Sequence, residues 1–362
     1  MKIVTKQLLL LTITTVLTAC NSFGPDALRG THPLYNDAIV GSMNEQFIQN
    51  VVRLHYRDPS FFLDIASVTA SLTLNMSGGL DQASSQLGVG GADILKYTLG
   101  GAYTTSPTIS YVPLQGEGFV KSMLRQIPLE VVFALSGSGW STQRVFGLCV
   151  ERINGVENAP SASGPTPGTA PNRGLRFKRL MELVEEVADK QLIIPRINPE
   201  TKEPQLQIKS SPEFREQIRE IKDLLGLDQN LEIYRVNSDF LKTGPDTISI
   251  RTRSLMNIFF YLSHHVDAPQ SHKEAGLVTV TRNMDGSEFD WGTTAAGRVF
   301  HIRQSEDEPS LAFVAIPYRG RWFYLADNDL ESKSTFMLLM QLFRLQAGAA
   351  KSAGPTLTIP VR

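Results

Sequence analysis

Near the start of the chain, apolar side chains recur every three or four residues. Ile39, Val40, Met43, Phe47, Ile48, Val51, Val52 and His55 share one helical face, which predicts a helix over 37–56 that Asp58-Pro59 brings to an end. The period then changes to two. Val68, Ala70, Leu72, Leu74 and Met76 alternate with Ser67, Thr69, Ser71, Thr73 and Asn75, the pattern of a strand with one dry face. After a Gly/Ser/Gln-rich stretch over 77–91, a second alternation runs through Leu95, Tyr97, Leu99, Tyr103, Ile109 and Tyr111. The two predict a long β-hairpin, bent at Pro107. Helical spacing returns over 116–153 in three pieces. The first carries Phe119, Met123 and Leu124, the second covers 129–135 behind Pro128, and the third is capped by Ser141 and runs to Ile153. Asn154-Gly155 is a turn signal.

Residues 157–174 contain no apolar side chain larger than Ala, Pro or Thr. Such a stretch buries too little surface to offset its ordering entropy, which predicts a flexible linker. Beyond it, helices are predicted over 175–190, 213–225 (closed by Gly226), 253–266 and 332–346. Strands are predicted over 192–195, 205–208, 231–236, 247–251, 277–282, 298–303, 311–318, 322–326 and 356–361, with Arg319-Gly320 as a tight hairpin turn. The 332–346 helix is apolar nearly all round, which predicts burial. Helices mixed with mostly antiparallel strands give an α+β fold. The resulting layout is a 37–156 helix and β-hairpin domain, a 157–174 linker and a 175–362 α+β domain.

Composition narrows the function classes. The chain has 362 residues, 42% of them apolar and 20% charged, values of a globular protein long enough for two cores. Its 35 basic and 36 acidic residues leave a net charge of −1, so there is no basic excess to hold nucleic acid. Of two cysteines, Cys149 lies in an apolar run and is expected to be a small buried hydrophobe.

The other cysteine sits at the end of a leader. Lys2 and Lys6 precede an apolar run from Leu8 to Val16 that is too short to span a bilayer, so residues 1–19 have the layout of a secretory signal peptide. Leu17-Thr18-Ala19-Cys20 resembles the lipobox of bacterial lipoproteins. That resemblance implies acylation of Cys20 (palmitate among the chains), a lipidated tether over 20–36 and attachment to a membrane. Asn21 stands where inner-membrane retention usually shows Asp, which implies the outer membrane. Four strings, PTISYVPLQGE (107–117), RINGV (152–156), RTRSLMNIFFYL (251–262) and YRGRWFYLADNDLESKSTF (318–336), resemble a group of uncharacterised bacterial envelope lipoproteins. The likeness transfers no activity and no catalytic residue.

The remaining constellations favour bland roles. Gly88-Val89-Gly90-Gly91 lacks the third glycine of a dinucleotide site, and Ser136-Gly137-Ser138-Gly139 lacks the first glycine of a nucleophile elbow. His264-His265 is expected to be a helix-end pair rather than a metal site, because neighbours on a helix point about 100° apart. Asp327, Asn328, Asp329 and Glu331 suit a helix cap. Arg251, Arg253, Arg319 and Arg321 flank the best-patterned strands and are the candidates for contact with an anion or a partner. No metal, no cofactor and no catalytic residue is assigned. The leading expectation is a lipid-anchored envelope protein with a non-enzymatic structural or interaction role and a protein partner. An oligomeric outer-membrane channel or secretion component, each copy donating the hairpin, is the alternative, because 67–76 matches a barrel strand. A periplasmic hydrolase is third. In the leading reading the 37–56 helix covers the apolar face of the hairpin.

Overall fold

The computed structural model describes residues 33–82, 95–165, 167, 174–239, 243–348 and 357–360. Residues 1–19, Cys20, residues 21–32 of the expected tether and Gly88–Gly91 lie outside them, whereas residues 33–36 of that tether are helical. The fold is α+β, as the two periodicities predict, with two compact units. One consists of Phe61–Ser122 with a C-terminal strand; the other, a body, takes the residues up to Ser60 and Met123–Gly348.

Backbone pairing between near neighbours builds the first unit. Strands β1 (Phe62–Gln82) and β2 (Leu95–Leu114) pair antiparallel from Phe62↔Leu114 to Gln82↔Leu95, with one irregularity between Ile65 and Ser67. The hairpin is therefore longer than the alternation suggested. Strand pairing continues through the Gly/Ser stretch as far as Gln82, because glycine and serine weaken a strand without forbidding its backbone conformation. The expected bend at Pro107 is absent: Pro107 pairs in register with Ala70. A last strand, Leu357–Pro360, pairs antiparallel with the outer side of β2 from Tyr111 to Thr108. Pro107 lies one residue past the last pair described there, where a missing N–H is tolerated. At the root of the hairpin, Phe62 is buried against Phe119 of α2 (Glu117–Leu124), with ring centroids 6.1 Å apart.

The body starts with α1 (33–55). The second half of its apolar stripe is buried as the spacing predicts, with Phe47, Ile48, Val51 and Val52 at most 2% exposed, whereas Val40 at the start of the stripe is exposed. The described partners of the stripe lie within the body. Phe47 meets Phe259 of α7 (Leu255–Ser263) and Phe336 and Phe343 of α9 (Leu330–Gly348), at centroid distances of 6.0, 6.3 and 4.7 Å. A stripe at helical spacing matches the ridges of other helices, and the C-terminal helices supply three aromatic rings for it.

A six-stranded sheet runs through the body in the order β4-β3-β8-β7-β6-β5. It comprises β3 (Val150–Ile153), β4 (Val156–Glu157), β5 (Ile193–Ile197), β6 (Pro204–Ile208), β7 (Ile233–Asn237) and β8 (Thr247–Thr252), and only β7 and β8 pair parallel. Helices α5 (Gly174–Ala188) and α6 (Arg215–Leu225) pack together, the latter closed by Gly226 at φ 67°. A second sheet holds β9 (Arg303–Ser305), β10 (Ala312–Tyr318) and β11 (Arg321–Ala326). Arg319 and Gly320, both at positive φ, form the turn of the β10–β11 hairpin. α3 (Leu129–Gly137) and α4 (Thr142–Cys149) precede β3, and Ser141 caps α4 through the N–H of Arg144. Among the described residues no helix is long and apolar enough to cross a membrane.

Several expected elements change. The third helix of 116–153 ends at Cys149, and Val150–Ile153 is strand β3. The 157–174 linker does not separate two domains, since β3 pairs with β8 across it. Its first half is built into the core: Asn158 and Ala162 are buried, and a 3₁₀ turn covers Pro160–Ser163. Polar groups rather than apolar side chains hold it, which hydrophobic patterning does not detect. Residues 166 and 168–173 lie outside the described set. The 277–282 strand is replaced by a loop with one bridge, Arg282↔Glu288, and the strand expected over 298–303 shares only Arg303 with the observed β9. α9 is not buried all round, since Met337 and Leu345 are more than half exposed.

Candidate functional site

The four arginines do not form one patch. Arg253 follows β8 and is fully buried. Its guanidinium donates to the carbonyls of Leu148 (3.3 Å), Val150 (2.8 Å), Asn158 and Ala159 (3.4 Å) and to Ser163 Oγ (3.2 Å), and lies 4.1 Å from the ring centroid of Tyr261. Burial lowers its pKa. Arg253 therefore cannot meet an external anion. It ties the 158–163 segment to β3, and its planar fork of donors suits a cradle of carbonyls. Arg251 stands 3.9 Å from Glu151, and Arg321 donates to Glu306 at 2.7 Å. Arg319 bonds Asp58 at 2.8 Å and lies over the Tyr56 ring at 5.0 Å. Asp58 also accepts from the Tyr318 hydroxyl, and these partners hold its carboxyl below the usual range against the opposing effect of burial. Each candidate contact residue thus already faces a group of its own chain.

Among the described residues, buried polar atoms without a partner concentrate elsewhere. Four of the seven such side-chain atoms, His55 Nε2, His264 Nε2, Thr281 Oγ1 and Gln304 Oε1, belong to residues that line one cavity of about 590 Å³. Its wall is assembled from distant parts of the chain. α1 ends at His55, α7 ends at His264, α8 (Gln270–Glu274) adds Lys273, the 278–292 loop adds Thr281, Glu288 and Trp291, and β9 adds Gln304. Gly297 allows the close approach of this loop, because a Cβ there would lie 2.1 Å from the Trp291 carbonyl oxygen.

The histidines have distinct roles. His55 Nδ1 lies 2.8 Å from the Ser263 carbonyl oxygen, which can only accept. In the neutral ring Nδ1 therefore carries the proton, and Nε2 presents a lone pair. Desolvation lowers His55 to about 4, so the ring is neutral at ordinary pH. His264 caps α7, stacks on Trp291 at 4.6 Å with the planes 16° apart, and is lowered to about 4 by burial, against the opposing effect of backbone hydrogen bonds to Ala162 and Gly164. His265 bonds the Tyr261 carbonyl and Thr294 Oγ1, both at 2.9 Å, and burial lowers it to about 3. The two adjacent histidines point to different partners, as their helix-end position predicts. His301 differs: Asp267, 2.8 Å away, raises its pKa.

Charges around the cavity are already engaged. Lys273 pairs with Glu288 at 2.5 Å, His301 with Asp267, and Asp290 accepts the N–H of Gly292 at 2.8 Å. Among the described residues no group of three or more His, Cys, Asp or Glu side chains could hold a metal ion. Cys149 is buried and unpaired, and desolvation raises its thiol to about 12.

Sequence reasoning had singled out His264 and His265 and placed His55 on an apolar helix face. It had no reason to join them to Thr281, Gln304 or Trp291. The one available signal was His55 itself, a polar residue on an otherwise apolar stripe. No protein-family model, curated protein sequence or solved structure matches the chain.

Proposed function

We propose that the chain is a lipid-anchored cell-envelope protein with a non-enzymatic, structural or interaction role, held through Cys20 at the periplasmic face of the outer membrane. The Leu17-Thr18-Ala19-Cys20 sequence carries this reading. Two acyl chains or more hold a protein stably where a single chain binds marginally, so no spanning helix is required. The long hairpin, a compact unit of its own, is the natural contact element for a partner. The His301–Asp267 pair is what a hydrolase would use, but these side chains are 44% and 48% exposed, and the described side-chain bond of His301 runs to Asp267 alone.

Fractionation tests the anchor. Cys20→Ser should move the protein out of the membrane pellet and into the soluble periplasmic fraction. Full retention of the variant after a carbonate wash would overturn the lipid-anchor reading.

A second reading, an oligomeric outer-membrane channel or secretion component, is favoured by one observation. The hairpin strands have 21 and 20 residues, whereas a spanning β-strand needs about 9–11. Phe47, on the apolar stripe of the helix expected to cover the hairpin, packs on α7 and α9. Native mass spectrometry of the protein extracted in mild detergent separates the readings. A ring of many copies supports the channel, and a monomer or a complex with one other protein supports the interaction role.

A further inference from the structure

The 590 Å³ cavity lies within the range of small-molecule sites, and the chemistry of its wall restricts what can fill it. Every charged side chain named above on that wall has a partner within the chain. The groups left without partners are all uncharged: two imidazole nitrogens, one hydroxyl and one amide oxygen. His55 Nε2 and Gln304 Oε1 accept, and Thr281 Oγ1 can both donate and accept. An anion would meet lone pairs and the carboxylates of Asp267, Glu288 and Asp290. A cation would meet Lys273 and His301, with carboxylates already engaged. Hydroxyl groups, which donate and accept without charge, match this set. Trp291 and Phe289, edge to face at 4.9 Å, add an aromatic wall of the kind that packs against the C–H face of a ring.

We propose that this cavity binds a small, uncharged, polyhydroxylated molecule of mono- or disaccharide size, with His55, Thr281 and Gln304 as its hydrogen-bonding partners. The site is independent of the lipid anchor and of the role of the hairpin. It uses the neutral imidazole of His55, which burial keeps in that form down to about pH 4. Left empty, the site would leave these buried polar atoms desolvated and unpaired, at a cost to the fold. Ordered water is the competing occupant, and a ligand gains by replacing it with hydroxyls in the same positions.

The test is calorimetry on the full lipidated chain in a detergent without a sugar headgroup, with glucose, N-acetylglucosamine and maltose as probes and spermidine and citrate as charged controls. At least one neutral sugar should bind saturably, and neither control should compete with it. Thr281→Val keeps the shape and removes the hydroxyl, so affinity should fall about tenfold while the melting temperature of the free protein holds or rises. Gln304→Leu should act alike and replaces that comparison if Thr281→Val does not fold. The proposal is overturned if no neutral probe saturates up to about 10 mM, if both variants bind as the parent does, or if spermidine or citrate binds in preference.

Discussion

The two units achieve order by opposite means. The hairpin is made by strands adjacent in sequence, whose register runs from Phe62↔Leu114 to Gln82↔Leu95 with a single shift between Ile65 and Ser67. The body is made by contacts between distant segments. His55 meets Ser263 across 208 positions, Arg144 meets Glu331 across 187, and Arg253 meets Asn158 across 95. A regular local pattern can specify the first kind of structure. The second depends on which complementary surfaces exist elsewhere in the chain, and no local pattern contains that information.

The sharpest way to break this contrast is Phe47→Ala. If α1 belongs to the body, losing a ring that touches three others should cost about 3–5 kcal/mol in chemical denaturation of that unit. The amide-exchange protection of the β1–β2 backbone should be unchanged. Loss of hairpin protection with an intact body would instead restore the helix-on-hairpin arrangement.

Arg253→Met comes next. It leaves several buried carbonyls without their donor and should cost about 3 kcal/mol. Proteolysis between 165 and 174 should yield fragments that stay associated, because β3 and β8 pair across the cut. Two fragments that separate and each melt cooperatively would contradict the single body.

Acid should weaken the body further. His55, His264 and His265 have folded pKa values of about 4, 4 and 3, below the ordinary 6.5. The unfolded chain therefore binds more protons between 6.5 and these values. Their stabilisation is complete above pH 6.5 and is lost as pH falls toward 4. His301, raised by Asp267, acts in the opposite sense and loses its contribution as pH climbs above 6.5. Scanning calorimetry from pH 7 to 4 should show a falling melting temperature, and a flat profile would mean that these rings are hydrated rather than buried.

The smallest effect is expected at Arg319→Ala. The Arg319–Asp58 pair is about one-third exposed on each side, so its loss should cost roughly 0–1 kcal/mol, less at high salt. A larger cost would make the Tyr56–Tyr318–Arg319 cluster part of the core.

These contrasts explain what was legible. The α1 stripe, the Ser67–Met76 strand, the Ser141 cap, Gly226 and the Arg319-Gly320 turn are local, and each is present where periodicity or turn chemistry placed it. The 157–165 segment was misassigned for a physical reason. Its order comes from backbone carbonyls, Asn158 and the guanidinium of Arg253, and hydrophobic patterning is blind to all of them. Arg253 looked like surface charge for the same reason: only the carbonyls around it reveal its burial. The cavity was invisible because five separate segments contribute to its wall and no two of its unpartnered groups are close in sequence.

The strand Leu357–Pro360 gives the hairpin unit a temporal order. This strand pairs with Tyr111–Thr108, yet it follows the whole body in the sequence and is synthesised long after β2. Until it emerges, one side of β2 presents unpaired N–H and C=O groups over those residues, the kind of edge that recruits another strand. Premature termination before residue 357 would make that edge permanent, and such truncated chains should aggregate or be captured by chaperones while their bodies still fold.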